Sequence, residues 1–276
     1  MFFNQYFLAK VEKFRVENGR KMEYIWLKEV DSTQEELKRI FAKSMAKSAI
    51  ANNANDSKAS KKSALQIETT QVISPPQSIS QCATKSKRPP KLKSKEICVI
   101  ADMQTAGIGS RGNEWKNVKD SLMFSFAFLS PPKDLPKQSV ALYLGFVFKE
   151  VLVSLGSAVW LKYPNDLYVK NRKIGGILVS IYQNHYLCGI GLNLQSEDFG
   201  SLDIAPKKCE VLDKYFKILQ KPPTWKQIFN KYRLEFYKNF SFSFHFKGEC
   251  ISLKDAILRE DGALEVGGEM IYNLDR

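Results

Sequence analysis

Alternation of large apolar residues with small or polar ones predicts most of the β-strands in this chain. Between 121 and 128, the side chains of Leu122, Phe124, Phe126 and Phe128 share one face of an extended segment, and smaller residues occupy the other face. Further strands are predicted at 22–30, 97–102, 160–163, 167–170, 174–182 and 186–194, with 167–170 and 174–182 forming a hairpin.

Three segments predict helices between these strands. Residues 139–155 are apolar on all sides, as in a buried helix, and 224–240 repeat apolar residues at helical spacing after Thr224, which is a suitable N-cap. The run Asp31-Ser-Thr-Gln-Glu-Glu36 predicts a helix start, because the pairs Ser32/Glu35 and Thr33/Glu36 both have capping-box spacing.

Together these elements predict an α+β protein with a mixed β-sheet backed by helices. We expect one main domain at 22–240 and an N-terminal extension at 1–21. Beyond Ser241, short strands with turn signals at Asp261-Gly262 and Gly267-Gly268 predict a small C-terminal β module, 241–276.

The net charge of +13 is concentrated in one low-complexity segment, 43–95. This segment has eleven Lys or Arg residues, two acidic residues and no Phe, Trp or Tyr, so it carries +9 of the total. Such a composition cannot bury enough apolar surface to offset the entropy lost on ordering, and we expect a disordered insert. A nucleic-acid-binding arm is the alternative, although base stacking would require aromatic residues.

Composition also excludes several classes of protein. The longest apolar stretch, 140–161, is interrupted by Lys149 and Glu150, so no membrane span is expected. The N-terminal residues do not have the pattern of a secretory signal, and we expect a cytoplasmic protein. Five cysteines without a Cys-x-x-Cys pair, and only two histidines, argue against a disulfide framework and a structural zinc site.

A glycine-rich loop, Gly107-Ile-Gly-Ser-Arg-Gly112, follows the strand at 97–102 and matches the dinucleotide-binding pattern. Only eight residues separate it from the strand at Ser121, which leaves no room for the crossover helix of a Rossmann fold. The loop therefore indicates either a turn with positive φ or a cradle in which backbone N–H groups and Arg111 hold an anion.

A second group of polar residues lies at 162–178. Pro164 ends a strand and leaves Asn165 and Asp166 at the end of the sheet, where a carboxylate can bind Mg²⁺ or accept a proton. Lys162 and Lys173 add positive charge, and the glycines at 175 and 176 allow a ligand to approach the backbone. Together with the glycine loop, this pattern is typical of a site that handles a nucleotide and an acid.

These motifs, in this order, resemble those of biotin protein ligases, in the form without an N-terminal DNA-binding domain. The resembling segments are Asp31–Gln34, Gln104–Trp115, Leu122–Phe126, Lys162–Leu167, Arg172–Leu178 and Gly189–Asn193. They cover about Tyr24 to Gln195 apart from the insert. The resemblance implies a catalytic domain related to class II aminoacyl-tRNA synthetases.

The resemblance also implies a reaction in two steps. Biotin and ATP, with Mg²⁺, give biotinyl-5′-AMP and pyrophosphate, and a lysine of a biotin carboxyl carrier protein then attacks the mixed anhydride. Lipoate ligase or octanoyl transferase, on a related fold, is the nearest alternative. The residues before Tyr24 are too few for a helix-turn-helix domain, so no specific DNA binding is expected; homodimerisation is left open.

The resemblance assigns roles to individual residues. Biotin would contact Ser32, Thr33, Gln104, Gly107, Gly109, Lys173 and Gly176. ATP or the adenylate would contact Gly109, Ser110, Arg111, Trp115, Lys162, Asn165 and Asn193. Lys173, Asp166 and Arg111 are the implied catalytic residues, with Asp166 also the candidate ligand of Mg²⁺.

The glycine loop departs from the family pattern in its basic residues. Ile108, Ser110 and Asn113 stand where family members commonly carry arginine or another basic or polar residue, and only Arg111 remains. We expect Arg111, or a lysine from another segment, to compensate in holding the phosphates.

Overall fold

An eight-stranded mixed sheet is the main element of the computed structural model, which describes residues 10–15, 21–44 and 96–272. Its strands are β1 (Lys10–Arg15), β2 (Lys21–Val30), β3 (Glu96–Gln104), β4 (Asp120–Phe128), β5 (Trp160–Lys162), β6 (Asp166–Val169), β7 (Arg172–Tyr182) and β8 (His185–Gln195). They are arranged in the order β1-β2-β3-β4-β8-β7-β6-β5. Only β2 and β3 pair in parallel, so the predicted mixed sheet is confirmed.

Four helices accompany the sheet in the described ranges. They are α1 (33–44), α2 (Val140–Ser154), α3 (Lys208–Gln220) and α4 (Trp225–Glu235). The predicted N-cap of α4 is confirmed, since the Gln227 backbone N–H donates to Thr224 Oγ1 while Thr224 N–H donates to the Gln227 side chain. Beyond α4, a 3₁₀ turn (Phe236–Asn239) completes the segment predicted as helix.

Alternate residues of the central strands pack against α2 and α3. Phe124 and Phe126 of β4 are buried, and the Phe126 ring lies 5.1 Å from Phe216 and 5.8 Å from Tyr215 of α3. Phe124 also contacts Phe148 of α2, at 5.8 Å between ring centroids. The predicted apolar face of this strand is therefore the face that builds the core.

The C-terminal residues form two small sheets. One pairs β9 (Ser243–Phe246) with β10 (Glu249–Ser252), and the other contains β11 (Ile257–Leu258), β12 (Leu264–Val266) and β13 (Glu269–Ile271). The predicted turn at Gly267-Gly268 joins β12 to β13, with positive φ at both glycines. Buried residues of these sheets, such as Phe244 and Leu264, belong to the same hydrophobic core as the main sheet.

Parts of the predicted domain plan lie outside the described residues. Of the insert at 43–95, the structure describes only the last two residues of α1. Of the extension at 1–21, residues 10–15 are described as the edge strand β1, followed by residue 21 in β2. The domain boundaries stay predictions. Within the described ranges, no helix combines the length and apolar character that a bilayer span requires.

Candidate active site

A cleft that opens to solvent lies on the face of the sheet opposite the aromatic core, with about 520 Å³ of space that includes its open side. Its walls come from the start of α1, the glycine loop, and strands β4, β7 and β8, together with the residues just before β6. The cleft therefore lies where the two groups of motifs meet.

Two paired glycines lie in the floor of the cleft. Gly191 of β8 pairs with Gly176 of β7, and Gly176 pairs with Asp166 of β6. A Cβ atom on Gly191 would lie 2.6 Å from the Trp115 ring, so the indole rests directly on the backbone of β8. Glycine at this position is what allows Trp115 to lie over the sheet and line the cleft.

The inner end of the cleft is polar and buried. Thr33 donates to Gln104 Oε1 from its backbone N–H (2.7 Å) and its hydroxyl (3.1 Å), and that hydroxyl lies 2.8 Å from Ser125 Oγ. Asn117 holds the backbone of Gln104 through two hydrogen bonds. Thr33 and Gln104 are at most 7% exposed. The Thr33 hydroxyl thus takes part in the polar network of the cleft.

Two further polar residues complete this end. Ser32 is buried and lines the cleft. Gln34, which sequence reasoning did not select, is also buried there, and its Nε2 donates to Ser180 Oγ and to the Leu187 carbonyl, both at 3.2 Å. These bonds tie the start of α1 to β7 and β8.

The glycine loop forms a compact turn along one wall. Gly109 N–H donates to the Asn113 carbonyl (2.7 Å), and Trp115 N–H donates to the Gly107 carbonyl (2.8 Å). These two N–H groups are therefore used within the loop and do not face an anion. Gly109 and Ser110 line the cleft. Arg111 lies in the 3₁₀ turn Ser110–Gly112, but its side chain is outside the described part of the chain.

At the other end of the floor, Lys173 and Asp166 form an ion pair. Lys173 Nζ lies 2.6 Å from Asp166 Oδ1, and the side chains are 46% and 18% exposed. Both side chains lie near Gly176, whose added Cβ would be 3.5 Å from Asp166 Oδ1 and 3.8 Å from Lys173 Cε. Burial, followed by the nearby Asp166 charge, raises the pKa of Tyr168 to about 12. A half-exposed lysine held by one carboxylate oxygen is a cation that can turn toward an anionic ligand.

Asn165 links this ion pair to the floor. Its Nδ2 donates to the Ile177 carbonyl at 2.7 Å, and Ile177 N–H donates to the Asn165 carbonyl at 2.9 Å. This reciprocal pair fixes the backbone immediately before Asp166. The side chain of Asn165 therefore helps to hold the backbone that positions Asp166.

Three residues assigned by the resemblance do not line the cleft. Gly107 begins the loop and faces its end, where an added Cβ would be 2.8 Å from the Trp115 carbonyl oxygen. Lys162 is buried with its Nζ 5.8 Å from the ring centres of Tyr168 and Phe242. Asn193 is 6% exposed and donates to the Gly200 carbonyl, and its Oδ1 has no hydrogen-bond partner among the described residues.

The residues do not form a magnesium site of their own. No group of three His, Cys, Asp or Glu side chains that could hold a metal occurs in the described ranges. Asp166, the predicted ligand, already pairs with Lys173. Because Mg²⁺ in nucleotide sites is commonly held by one or two carboxylates and the phosphates, these residues fit Mg²⁺ only as it arrives with ATP.

Sequence reasoning missed several cleft residues on the central strands. Ser125 of β4, Gly189 of β8 and Leu178 of β7 form a second cross-strand row beside the first. A signal was present, since Gly189 and Gly191 alternate with large apolar residues along β8. Such alternation is typical of a strand that has large side chains on one face only. The strand order shows in addition that β4, β8 and β7 are neighbours, so their faces with small residues form one surface.

Comparison with known sequences relates the chain to one group of enzymes. The model of the "Biotin/lipoate A/B protein ligase family" matches residues 71–193. The chain is 39% identical over 93 residues to the bifunctional ligase/repressor BirA of Escherichia coli, and 32% identical over 142 residues to biotin–protein ligase 2 of Arabidopsis thaliana. These matches cover 33% and 44% of this chain, but only 29% and 43% of the relatives.

Comparison with solved structures covers more of the chain. A crystal structure of biotin acetyl coenzyme A carboxylase synthetase from Helicobacter pylori, with bound biotinylated ATP, has a TM-score of 0.68 and 36% identity. That match covers 90% of this chain and 98% of the other. Biotin protein ligase from Aquifex aeolicus in complex with biotin and ATP shares the fold, with a TM-score of 0.57 and 20% identity over 90% of this chain and 94% of that chain.

Proposed function

Because the chain belongs to the biotin protein ligase family, we propose that it activates biotin with ATP and transfers it to a lysine of a carrier protein. The observation that carries this proposal is the polarity of the cleft. Buried hydrogen-bonding groups line one end, and a movable lysine lies at the other. An acid with a polar ring at one end and a carboxylate at the other matches this arrangement.

In the first step, a carboxylate oxygen of biotin attacks the α-phosphorus of ATP. The new bond gives biotinyl-5′-AMP, and pyrophosphate leaves. Lys173 would leave Asp166 and hold the carboxylate and α-phosphate oxygens while negative charge develops on them. Trp115, lying on the backbone of β8, would pack against the adenine. Ser110, Arg111 and Asn165 would lie along the phosphates and ribose.

In the second step, the uncharged amine of the acceptor lysine attacks the carbonyl carbon of the adenylate, and AMP leaves. A lysine with a pKa near its ordinary value of about 10.4 is almost fully protonated at pH 7. Asp166 loses its partner when Lys173 turns to the ligand, and its carboxylate can then accept a proton from the incoming amine. An Asp166→Asn enzyme that transfers from preformed adenylate at the full rate would exclude this role.

The inner end of the cleft supports biotin over lipoate or octanoate. Ser32, Thr33 and Gln104 present hydroxyl and amide groups that an alkyl or dithiolane tail would cover without forming hydrogen bonds. Covering a polar atom that could form a further hydrogen bond costs about 1–3 kcal/mol. The biotin ring, with N–H and C=O groups, can supply such further bonds.

The proposed partner is a biotin carboxyl carrier protein, and the proposed location is the cytoplasm. The cysteines in the described ranges, Cys98, Cys188, Cys209 and Cys250, are free thiols. The absence of specific DNA binding stays a prediction, and homodimerisation stays an open alternative.

Pyrophosphate release by the purified protein with Mg·ATP and biotin, lipoate or octanoate tests the proposal. We expect release with biotin alone and, by mass spectrometry, one added biotin on the lysine of a carrier domain. Release with lipoate or octanoate would instead assign the chain to the lipoyl branch, and no release with any acid would contradict adenylation.

A further inference from the structure

We propose that Tyr163 is a positioning residue, which ties the Asn165–Asp166 segment of the cleft to a turn of the C-terminal strands, Glu260–Gly262. The proposal rests on the proposed function, because it concerns the rate of adenylate formation. In this proposal the C-terminal strands help to position residues of the cleft, in addition to packing against the core.

Tyr163 is held at two points remote in sequence. Its hydroxyl donates to the Gly262 carbonyl at 3.1 Å, and its backbone N–H donates to Asn239 Oδ1 at 2.8 Å. Asn239 is fully buried, and its Nδ2 donates to the Phe236 carbonyl, which sets the orientation of the amide. The Tyr163 ring, 1% exposed, also meets Phe244 of β9 edge-on.

The turn that receives the Tyr163 hydroxyl is itself anchored. Ser139 Oγ, before α2, donates to the Asp261 carbonyl at 2.6 Å, and Trp225 Nε1 of α4 donates to the Glu260 carbonyl at 2.8 Å. Gly262 has φ of +82°, and an added Cβ would clash with Ser139 Oγ. The turn therefore provides a fixed acceptor for Tyr163.

The segment that Tyr163 leads into needs external support. It connects β5, a three-residue strand at the edge of the sheet, to β6, and it contains Asn165. An edge strand has hydrogen bonds to only one neighbour. Two residues beyond Tyr163, Asn165 makes its reciprocal pair with Ile177, and Asp166 holds Lys173. A continuous chain of contacts thus joins the Gly262 turn to the cation of the cleft.

The experiment removes the hydroxyl of one buried tyrosine at a time. Tyr163→Phe removes the bond to Gly262 and keeps the ring. Tyr143→Phe is the matched control, because Tyr143 is also fully buried and its hydroxyl donates to a backbone carbonyl, that of Pro223, at 2.7 Å. We expect Tyr163→Phe to slow single-turnover adenylate formation about tenfold with KM for biotin nearly unchanged, since small misplacements of reacting groups are costly. Tyr143→Phe should lower Tm comparably and leave the rate unchanged.

A double variant separates positioning from general loosening. If Tyr163 acts through the Asp166–Lys173 pair, Tyr163→Phe should slow a Lys173→Ala enzyme far less than it slows the wild type. Equal slowing in both backgrounds, or equal slowing by Tyr143→Phe, would overturn the proposal.

Hydrogen–deuterium exchange tests the same idea without activity. We expect faster exchange of the Ile177 amide, which donates to the Asn165 carbonyl, in Tyr163→Phe but not in Tyr143→Phe. Unchanged exchange at Ile177 would refute the positioning role even if the wild-type protein proved inactive with biotin. Inactivity of the wild type with altered exchange in the variant would refute only the proposed function.

Discussion

The two faces of the central sheet are built from the same strands but have opposite properties. On the core face, Phe124 and Phe126 pack against aromatic rings of α2 and α3 at 5.1–6.1 Å between centroids. On the cleft face, the neighbouring positions are Ser125, Gly189 and Gly191. One set of strands therefore supplies stability through alternate residues and leaves the others free to form a binding surface.

This division explains how the floor of the cleft can be accessible to a ligand while its backbone is held in a fixed position. Its floor consists largely of backbone and small side chains, so a ligand can lie close to the sheet without displacing packed groups. The opposite face holds the same backbone in place by close packing. Substitutions on the two faces should consequently separate effects on stability from effects on substrate.

The largest expected effect is on the core face. Phe124→Ala should lower the free energy of unfolding by about 3–5 kcal/mol, because it leaves a cavity among four aromatic rings. Urea denaturation measures the loss. Phe124→Leu keeps more volume and provides a folded variant, in which KM for biotin should equal that of the wild type. A changed KM without lost stability would contradict the separation of the two faces.

On the cleft face, the largest effect is expected from Lys173→Ala. It should slow adenylate formation by about 10²–10³-fold, as is typical for the loss of a group that stabilises developing charge. Because Lys173 is half-exposed, Tm should change little. Single-turnover formation of adenylate measures the rate, and a wild-type rate would remove Lys173 from the mechanism.

Smaller effects are expected from substituting two glycines, Gly191 on the cleft side of the sheet and Gly145 on the core side. Gly191→Ala places a methyl group 2.6 Å from the Trp115 ring and should raise KM for ATP about tenfold by displacing the indole. Gly145→Ala, in α2, places one 3.0 Å from Ile177 on the core side and should change Tm instead. If Trp115→Ala leaves ATP affinity unchanged, the residue belongs to the packing of the sheet and not to the nucleotide site.

A modest effect is expected at the inner end of the cleft. Thr33→Val keeps the shape but removes the hydroxyl that bonds Gln104 and Ser125, and biotin affinity should fall about tenfold. Isothermal titration with biotin gives the affinity. Unchanged affinity would mean that this hydrogen-bond network stabilises the sheet and does not contribute to biotin binding.

The smallest effect concerns Asp203, which lies outside both faces. Burial raises its pKa, but acceptance of hydrogen bonds from Ser157 and the Ala158 backbone outweighs this and lowers the pKa overall. A lowered folded-state pKa stabilises the protein above the unfolded value, about 3.9, and the effect is lost as pH falls through the folded-state pKa. Asp203→Asn should therefore lower Tm slightly at pH 7 and converge with the wild type in acid. A Tm difference that persists in acid would contradict this assignment.

Much of this architecture was predictable from local pattern. The alternation at 121–128, the apolar run that became α2, the hairpin of β6 and β7, and the Thr224 cap each depend on residues close in sequence. The motifs at 104–115 and 162–178 also indicated the site, since Gln104, Trp115 and Lys173 all line the cleft. Lys162 shows the limit of such reasoning, because its motif is intact but its side chain is buried near Tyr168 and Phe242.

Local sequence patterns were enough to predict most strands and helices and to show which chemical groups are present, because period and side-chain type are local properties. The position of β8 between β4 and β7, which brings Ser125, Gly189 and Leu178 into one row, became visible only in the folded structure. The same holds for the support that Gly262 gives to Tyr163, 99 residues earlier in the chain. Pairing across such separations depends on the packing of the whole core, which no short stretch of sequence encodes.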